Sequence, residues 1–302
     1  MTDDKVGQKC GYVGLIGRPN VGKSTLLNHI LRQKVSITSR KPQTTRKSAL
    51  GVDTQGLCQA IYVDTPGIHK GGGKALNRFM VNQAAASAKD VDILVMVIDA
   101  TGWNENDEQV LQLVRQQQPH LQSILAVLTK IDLLDNKNEL LPQIERLAGY
   151  DLFDEIIPVC ALKQEGIDSL RERIFHFLPQ APHLFAEDDV TDQTERQMVE
   201  EIVREKLMRQ LGDELPHSSA VSIIKFDQQA PVTEIHAEIY VERASQKSMV
   251  IGRQGQRIKL IGSEARKDIE QLLQRQVMLN LWVKVQKGWT NNPVRLRQLG
   301  YE

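Results

Sequence analysis

The stretch "GRPNVGKS", Gly17 to Ser24, constrains this chain more tightly than any other. Its spacing is G-x-x-x-x-G-K-[ST]. Glycines so placed let successive backbone N–H groups turn inward around an anion. The lysine then reaches the terminal phosphates and the hydroxyl is offered to magnesium. Such a loop joins a strand to a helix N-terminus. Residues 12–16 therefore read as a strand and residues 23–32 as a helix, with Lys23, Ser24 and Thr25 in its first turn. Further apolar runs lie at 49–53, 59–63, 93–98, 124–128 and 156–159, with helical patterns such as 76–88 and Ile167–Phe177 between most of them. The last three runs are uninterrupted, as in strands covered on both faces. Residues 1–179 are thus expected to form an α/β, doubly wound sheet with ligands at the carboxyl ends of its strands.

Four more elements suit a nucleotide. "VDTPG" puts Asp64 at a strand's carboxyl end, where it can hold magnesium through water, followed by Thr65, Pro66 and Gly67, whose N–H can face a γ-phosphate. The glycine run after it, Gly71 to Gly73, suits a segment that reorders when that phosphate leaves. "LTKID" resembles the [NT]-K-x-D element of GTPases: Thr129, Lys130, Ile131 and Asp132, with the Asp132 carboxylate accepting from guanine and Lys130 packing along the base. Adenine lacks that donor pair, so a site built on this carboxylate discriminates strongly. "CAL", Cys160, Ala161 and Leu162, falls where GTPases carry S-A-K; the backbone N–H of Ala161 is the contact that survives. "KPQTTRK" is expected to supply a magnesium threonine, Thr45, with Thr44 as the close alternative. Ile68 stands where Ras-like enzymes place a water-orienting glutamine, so no general base is assigned. Within the phosphate loop, Arg18, Pro19, Asn20 and Val21 offer backbone groups, and Asn20 resembles the potassium-binding asparagine of GTPases with a hydrophobic residue at the glutamine position. Asp99, Asp107 and Glu108 read as strand-end and helix-start residues.

Residues 180–190, with two prolines just outside or within the stretch and an acidic cluster, show no periodicity and read as a linker. Residues 191–302 read as a smaller α+β domain. Residues 195–211 are helical; period-two alternation at 233–241 and 277–285 gives half-buried strands. Between them lies "VIGRQGQRI". Arg243, Lys247, Arg253, Arg257, Lys259, Arg266 and Lys267 surround it against one acid, Glu264. The whole chain is neutral at pH 7, so a nucleic-acid surface must be a local patch of this kind. A G-x-x-G turn between helices, in a basic setting, resembles the KH module, which clamps single-stranded backbone there. Ile251, Gly252, Arg253, Gln254, Gly255, Arg257 and Lys259 are the expected RNA contacts, in the type II order of elements.

A GTPase followed by a type II KH domain resembles the bacterial Era family. "SITSRKPQTTR", "DTPG", "REKLM", "VIGRQGQRIK", "EARKD" and "LWVKV" carry the resemblance over nearly the whole chain. It implies a P-loop GTPase using GTP/GDP and Mg2+; K+ is expected only through Asn20, whose alternative role is a local hydrogen bond within the loop. It implies a factor of small-ribosomal-subunit biogenesis that binds 16S rRNA near its 3′ end, its RNA binding coupled to nucleotide state, with peripheral contact at the cell inner membrane. A monomer is expected. The alternative is a constitutive RNA-binding protein with a structural nucleotide site. The three widely spaced cysteines, Cys10, Cys58 and Cys160, suit a reducing compartment, and the polar start "MTDDKVGQKC" does not build a signal peptide, so the cytoplasm is the expected location.

Overall fold

The computed structural model describes residues 7–39, 41, 44, 49–65, 90–212, 219–229 and 231–299. Thr45, Pro66, Gly67, Ile68, the glycine run and the helix expected at 76–88 lie outside them. The chain divides into two units, the first ending at Asp192 and the second starting at Gln193. The segment Ile37–Thr44 also clusters with the second.

Unit 1 is a six-stranded sheet in the order β2-β3-β1-β4-β5-β6. Its strands are β1 (Lys9–Ile16), β2 (Ala49–Gln55), β3 (Cys58–Asp64), β4 (Ile93–Asp99), β5 (Ser123–Thr129) and β6 (Glu155–Pro158). All neighbours are parallel except the β2–β3 hairpin at the edge. Every residue of β4 and β5 is buried, which is why those runs show no polar alternation. Two separate cores form on the two sheet faces. One holds Leu26, Leu27 and Ile30 of α1 (Lys23–Ile30), the other Val110, Leu111 and Val114 of α2 (Glu105–Gln117). Helices α3 (Leu140–Ala148) and α4 (Ile167–Phe177) complete the described helices of this unit. The order reverses between β1 and β4, so their carboxyl ends open the crevice where a doubly wound sheet binds ligands.

The stretch expected as a linker is hydrogen-bonded to unit 1. The Gln59 side-chain oxygen accepts from the N–H of Leu184 at 2.8 Å and of Phe185 at 3.0 Å, and Val52 N–H donates to Val190 at 2.8 Å. An extended segment held by its backbone needs no apolar period, which explains its blank pattern.

Unit 2 contains a three-stranded sheet, β7 (Ser219–Asp227), β8 (Thr233–Val241) and β9 (Val277–Val285), with β7–β8 antiparallel and β8–β9 parallel. Helix α5 (Glu195–Gln210) precedes it, capped by the Thr194–Gln197 box. Helices α6 (Ala244–Ile251) and α7 (Gln256–Leu273) join β8 to β9, and α8 (Pro293–Gln298) closes the described chain. Ile261, Ala265, Ile269 and Leu273 of α7 recur every fourth residue and are buried, so one stripe of α7 faces the core.

Candidate functional site

The phosphate loop runs from the end of β1 into α1. A Cβ at Gly17 would sit 2.4 Å from the Val97 carbonyl oxygen, so the backbone of β4 admits only glycine there. Gly22, at φ 102°, opens α1 without a side-chain cap, leaving the helix N-terminus available to an anion. Asn20 turns through φ 65°, and the buried Val21 pins the loop to the core. Lys23 is buried. Its Nζ donates to the carbonyls of Gly17 at 3.0 Å and Arg18 at 3.1 Å. Burial pushes its pKa down to about 8, with Asp64 pulling it up and Arg18 adding to the fall. Ser24 Oγ donates to Asp64 Oδ2 at 2.7 Å, so helix and strand present a hydroxyl and a carboxylate together. Hard oxygen donors of this kind fit magnesium. Among the described residues there is no group of three or more His, Cys, Asp or Glu that could hold a metal. Thr65 is turned elsewhere: its buried hydroxyl donates to Leu15 O at 2.7 Å and ties β3 to β1. Thr44 spends its hydroxyl on Lys41 O at 2.7 Å.

Thr129 ends β5 beside this loop. Its hydroxyl lies 2.6 Å from Val21 O and 3.0 Å from Ile98 O. Lys130, at φ 59°, reaches Asn20 O at 2.7 Å and Asp99 Oδ2 at 2.6 Å. Asp99 is thus more than a strand end. Burial opposes its ionisation, but hydrogen bonds from Lys130 and Thr101 outweigh that and hold its carboxyl below the usual range. Asp107 does cap α2, accepting from Asn104 N–H at 2.9 Å, and it also pairs with Arg18 Nε at 2.9 Å. Neither Arg18–Asp107 nor Lys130–Asp99 has a local sequence signal, since the partners lie 89 and 31 residues apart. Ile131 and Asp132 open a 3-10 turn. The Cys160 thiol donates to Asp132 Oδ1 at 3.1 Å, so the residue in the serine position orients the carboxylate expected to select the base. Burial, then this bond, pushes the thiol's pKa up, which keeps it a protonated donor. Ala161 begins the next turn, and Leu162 points to solvent.

The second loop lies between α6 and α7. Gly252, at φ 73°, has room for no side chain: a Cβ would come 2.7 Å from Arg257 Cβ. Gly255, at φ 77°, caps α7 with nothing within 4 Å of a built Cβ. Arg253, Gln254 and Lys259 are exposed, and Ile251 packs against the unit's core. Arg257, expected only as an RNA contact, also closes the loop by donating to Met249 O at 2.6 Å.

Three outcomes test the nucleotide site. With Lys23 at about 8, GTP binding near pH 8 should take up about half a proton as the phosphates restore the ammonium. Calorimetry in buffers of different ionisation enthalpy reads this directly. The same depression means that the unfolded chain holds the proton over the window from about 8 to 10.5, so stability of the nucleotide-free protein should rise with pH there. Replacing Asp132 with Asn should move preference from GTP towards xanthosine triphosphate, whose C2 carbonyl needs a donor. Unchanged preference in competition binding would remove the base-site assignment.

Comparison with known proteins agrees with both halves. Residues 12–130 match the family described as 50S ribosome-binding GTPase, and residues 214–290 match the KH domain family. The chain is 50% identical over 302 residues to GTPase Era of Ectopseudomonas mendocina strain ymp, covering 100% of this chain and 99% of that protein. It is 51% identical over 301 residues to GTPase Era of Pseudomonas fluorescens strain Pf0-1, with the same coverage. The fold matches a crystal structure of Era in complex with MgGDPNP and nucleotides 1506–1542 of 16S ribosomal RNA, at TM-score 0.93 and 40% identity over 97% of this chain and 99% of that one. A single-residue variant of Aquifex aeolicus Era, bound to GDP.AlF4-, matches at TM-score 0.92 with the same identity and coverage. At half identity from end to end, with a GTPase family match followed by a KH family match, the chain belongs to the Era family of GTPases.

Proposed function

We propose that this chain hydrolyses GTP in unit 1, binds 16S ribosomal RNA near its 3′ end through unit 2, and serves small-subunit assembly as a cytoplasmic monomer whose grip on RNA follows the bound nucleotide. The observation that carries the RNA half is Gly255. It combines a left-handed backbone with open space where a Cβ would project, beside exposed Arg253 and Lys259. A nucleic-acid backbone can approach there closely, which agrees with the RNA held by the related Era protein. In unit 1, Ser24 and Asp64, with Thr45 as the proposed third donor, would hold magnesium, which neutralises charge on the β- and γ-phosphates when bound. Lys23 counters the terminal phosphate charge and Asp132 selects guanine. Contact with the inner membrane would be peripheral, because no described helix is long and apolar enough to cross one.

Gly255→Asp should weaken binding of an RNA spanning nucleotides 1506–1542 about tenfold or more, the effect of losing one hydrogen bond to a charged group, and leave GTP affinity unchanged. Titrations at two salt concentrations, with a melting curve, check it. Intact RNA affinity in a folded variant would make the loop a mere helix entry.

Ile68 offers nothing to an attacking water, so hydrolysis by the isolated protein should be slow. Asn20, exposed at the phosphate loop, is the proposed potassium ligand. Turnover should be faster in potassium than in sodium at matched ionic strength; equal rates would remove that role.

A further inference from the structure

Arg18 lies inside the phosphate loop, yet its side chain is turned away from the loop. Its Nε donates to both carboxylate oxygens of Asp107, at 3.1 and 2.9 Å. Its Nη2 donates to Gly102 O at 3.2 Å and stands 3.6 Å from Asp99 Oδ2. Asp107 is 1% exposed, and a buried carboxylate is expensive unless it is paired and hydrogen-bonded. Capping α2 does not call for such an ion. A capping box closes on any acceptor at the third helical position, and neutral Gln197 closes the box of α5. The partner that needs the charge of Asp107 is Arg18.

Arg18 anchors one arm of the loop. The next residue, Pro19, has a fixed φ and no N–H, and it restricts the backbone of Arg18 as well. Holding the Arg18 side chain therefore bears on the first N–H that follows, that of Asn20. The far end of the arm is held from β5: Lys130 Nζ bridges Asn20 O at 2.7 Å and Asp99 Oδ2 at 2.6 Å. Thr101 fixes the other Asp99 oxygen, donating from its N–H at 3.0 Å and its hydroxyl at 2.7 Å. Between these anchors the Arg18 carbonyl accepts from Lys23 Nζ at 3.1 Å. The arm from Arg18 to Asn20 is thus tied at both ends to carboxylates outside the loop, and it carries the lysine that is expected to meet the phosphates.

We propose that Asp107 is a positioning residue for the nucleotide: through Arg18 it holds the phosphate loop in its anion-binding shape before phosphate arrives. A loop already in shape loses less conformational freedom on binding, and so binds more tightly. Loops of this kind cradle the β-phosphate that GDP and GTP share, so both nucleotides should gain equally. The Arg18 guanidinium, tied to Asp107, supplies no charge to a γ-phosphate, and the pair acts on binding and not on the chemical step. The inference rests on the GTP reading above.

The test measures affinities of the full chain for GDP and for a non-hydrolysable GTP analogue, with steady-state hydrolysis alongside. Asp107→Asn keeps the side-chain size and an oxygen for the Asn104 N–H, and removes the charge. It should weaken both nucleotides about tenfold, the effect of losing one hydrogen bond to a charged group. KM should rise by a similar factor, with kcat within about twofold of the wild type. A defect of capping or packing alone would lower the melting temperature and leave the folded protein's affinities in place. Because Asp107 acts through Arg18, the two substitutions should not add. Arg18→Met should show the same loss, and Asp107→Asn on top of it should cost less than about twofold more. Arg18→Lys keeps a charge without the fork and should fall between the wild type and Arg18→Met. If Asp107→Asn fails to fold by its melting curve, the two Arg18 variants decide. Wild-type affinities in folded Asp107→Asn or Arg18→Met overturn the proposal, and so do losses that add in the double variant. A wild-type chain that binds no GTP overturns the GTP reading, and this inference with it.

Discussion

One buried hydroxyl, that of Thr129, holds the phosphate loop against the strand that leads into the turn bearing Asp132. It stands 2.6 Å from Val21 O and 3.0 Å from Ile98 O, with one proton for two carbonyls. Within the loop, Lys23 bonds the carbonyls of Gly17 and Arg18. The sheet holds it too, through this hydroxyl, through the Val97 carbonyl that excludes any side chain at Gly17, and through Lys130, which donates to Asn20 O. An asparagine amide at 129 would bring two protons to the two carbonyls. The threonine serves the same joint with less, and a buried joint left unmade costs about 1–3 kcal/mol.

The chain's two glycine loops solve one problem twice. Each has a glycine excluded from bearing a side chain by packing: Gly17 against Val97 O, and Gly252 against Arg257. Each then has a left-handed glycine that opens a helix with no side-chain cap: Gly22 before α1 and Gly255 before α7. Bare helix N-termini attract anions in both. What separates them is the lysine. Lys23 follows Gly22 into a buried site, where its charge is partly suppressed until phosphate arrives. After Gly255 come exposed residues and Arg257, whose guanidinium braces the loop from outside. The first loop buries its cation beside the bare helix end; the second leaves open space beside its glycine.

How much of this is legible in the sequence follows from how far apart the interacting residues lie. Helix α4 and strands β8 and β9 occupy the residues that periodicity alone indicates, because one face of each meets a core. The phosphate loop and Asp132 are local motifs and are equally readable. Helix α2 does not stand out: its exposed face is rich in glutamine, and its buried Gln117 and Asp107 blur the apolar stripe. Residues 180–190 give no pattern because they are held through Gln59, about 125 residues away. Arg18–Asp107 and Glu205–Thr38 are invisible for the same reason. Ion pairs and backbone bonds between distant segments carry no period, so sequence shows the charges without showing where they go.

The burial of Arg204, Glu205 and Lys206 makes that last point energetically. Stability alone gives little reason to place three ions inside a helical packing, since apolar residues of similar volume are commonly as stabilising or more so. What ions add is exclusivity. A leucine at 205 could rest against any apolar neighbour. Glu205 is satisfied by donors at defined places, and Thr38 supplies two of them from a single residue. Arg204 likewise needs an acceptor where Thr44 O stands. Thr38 and Thr44 are therefore each held at a defined place, where an apolar contact would let them slide.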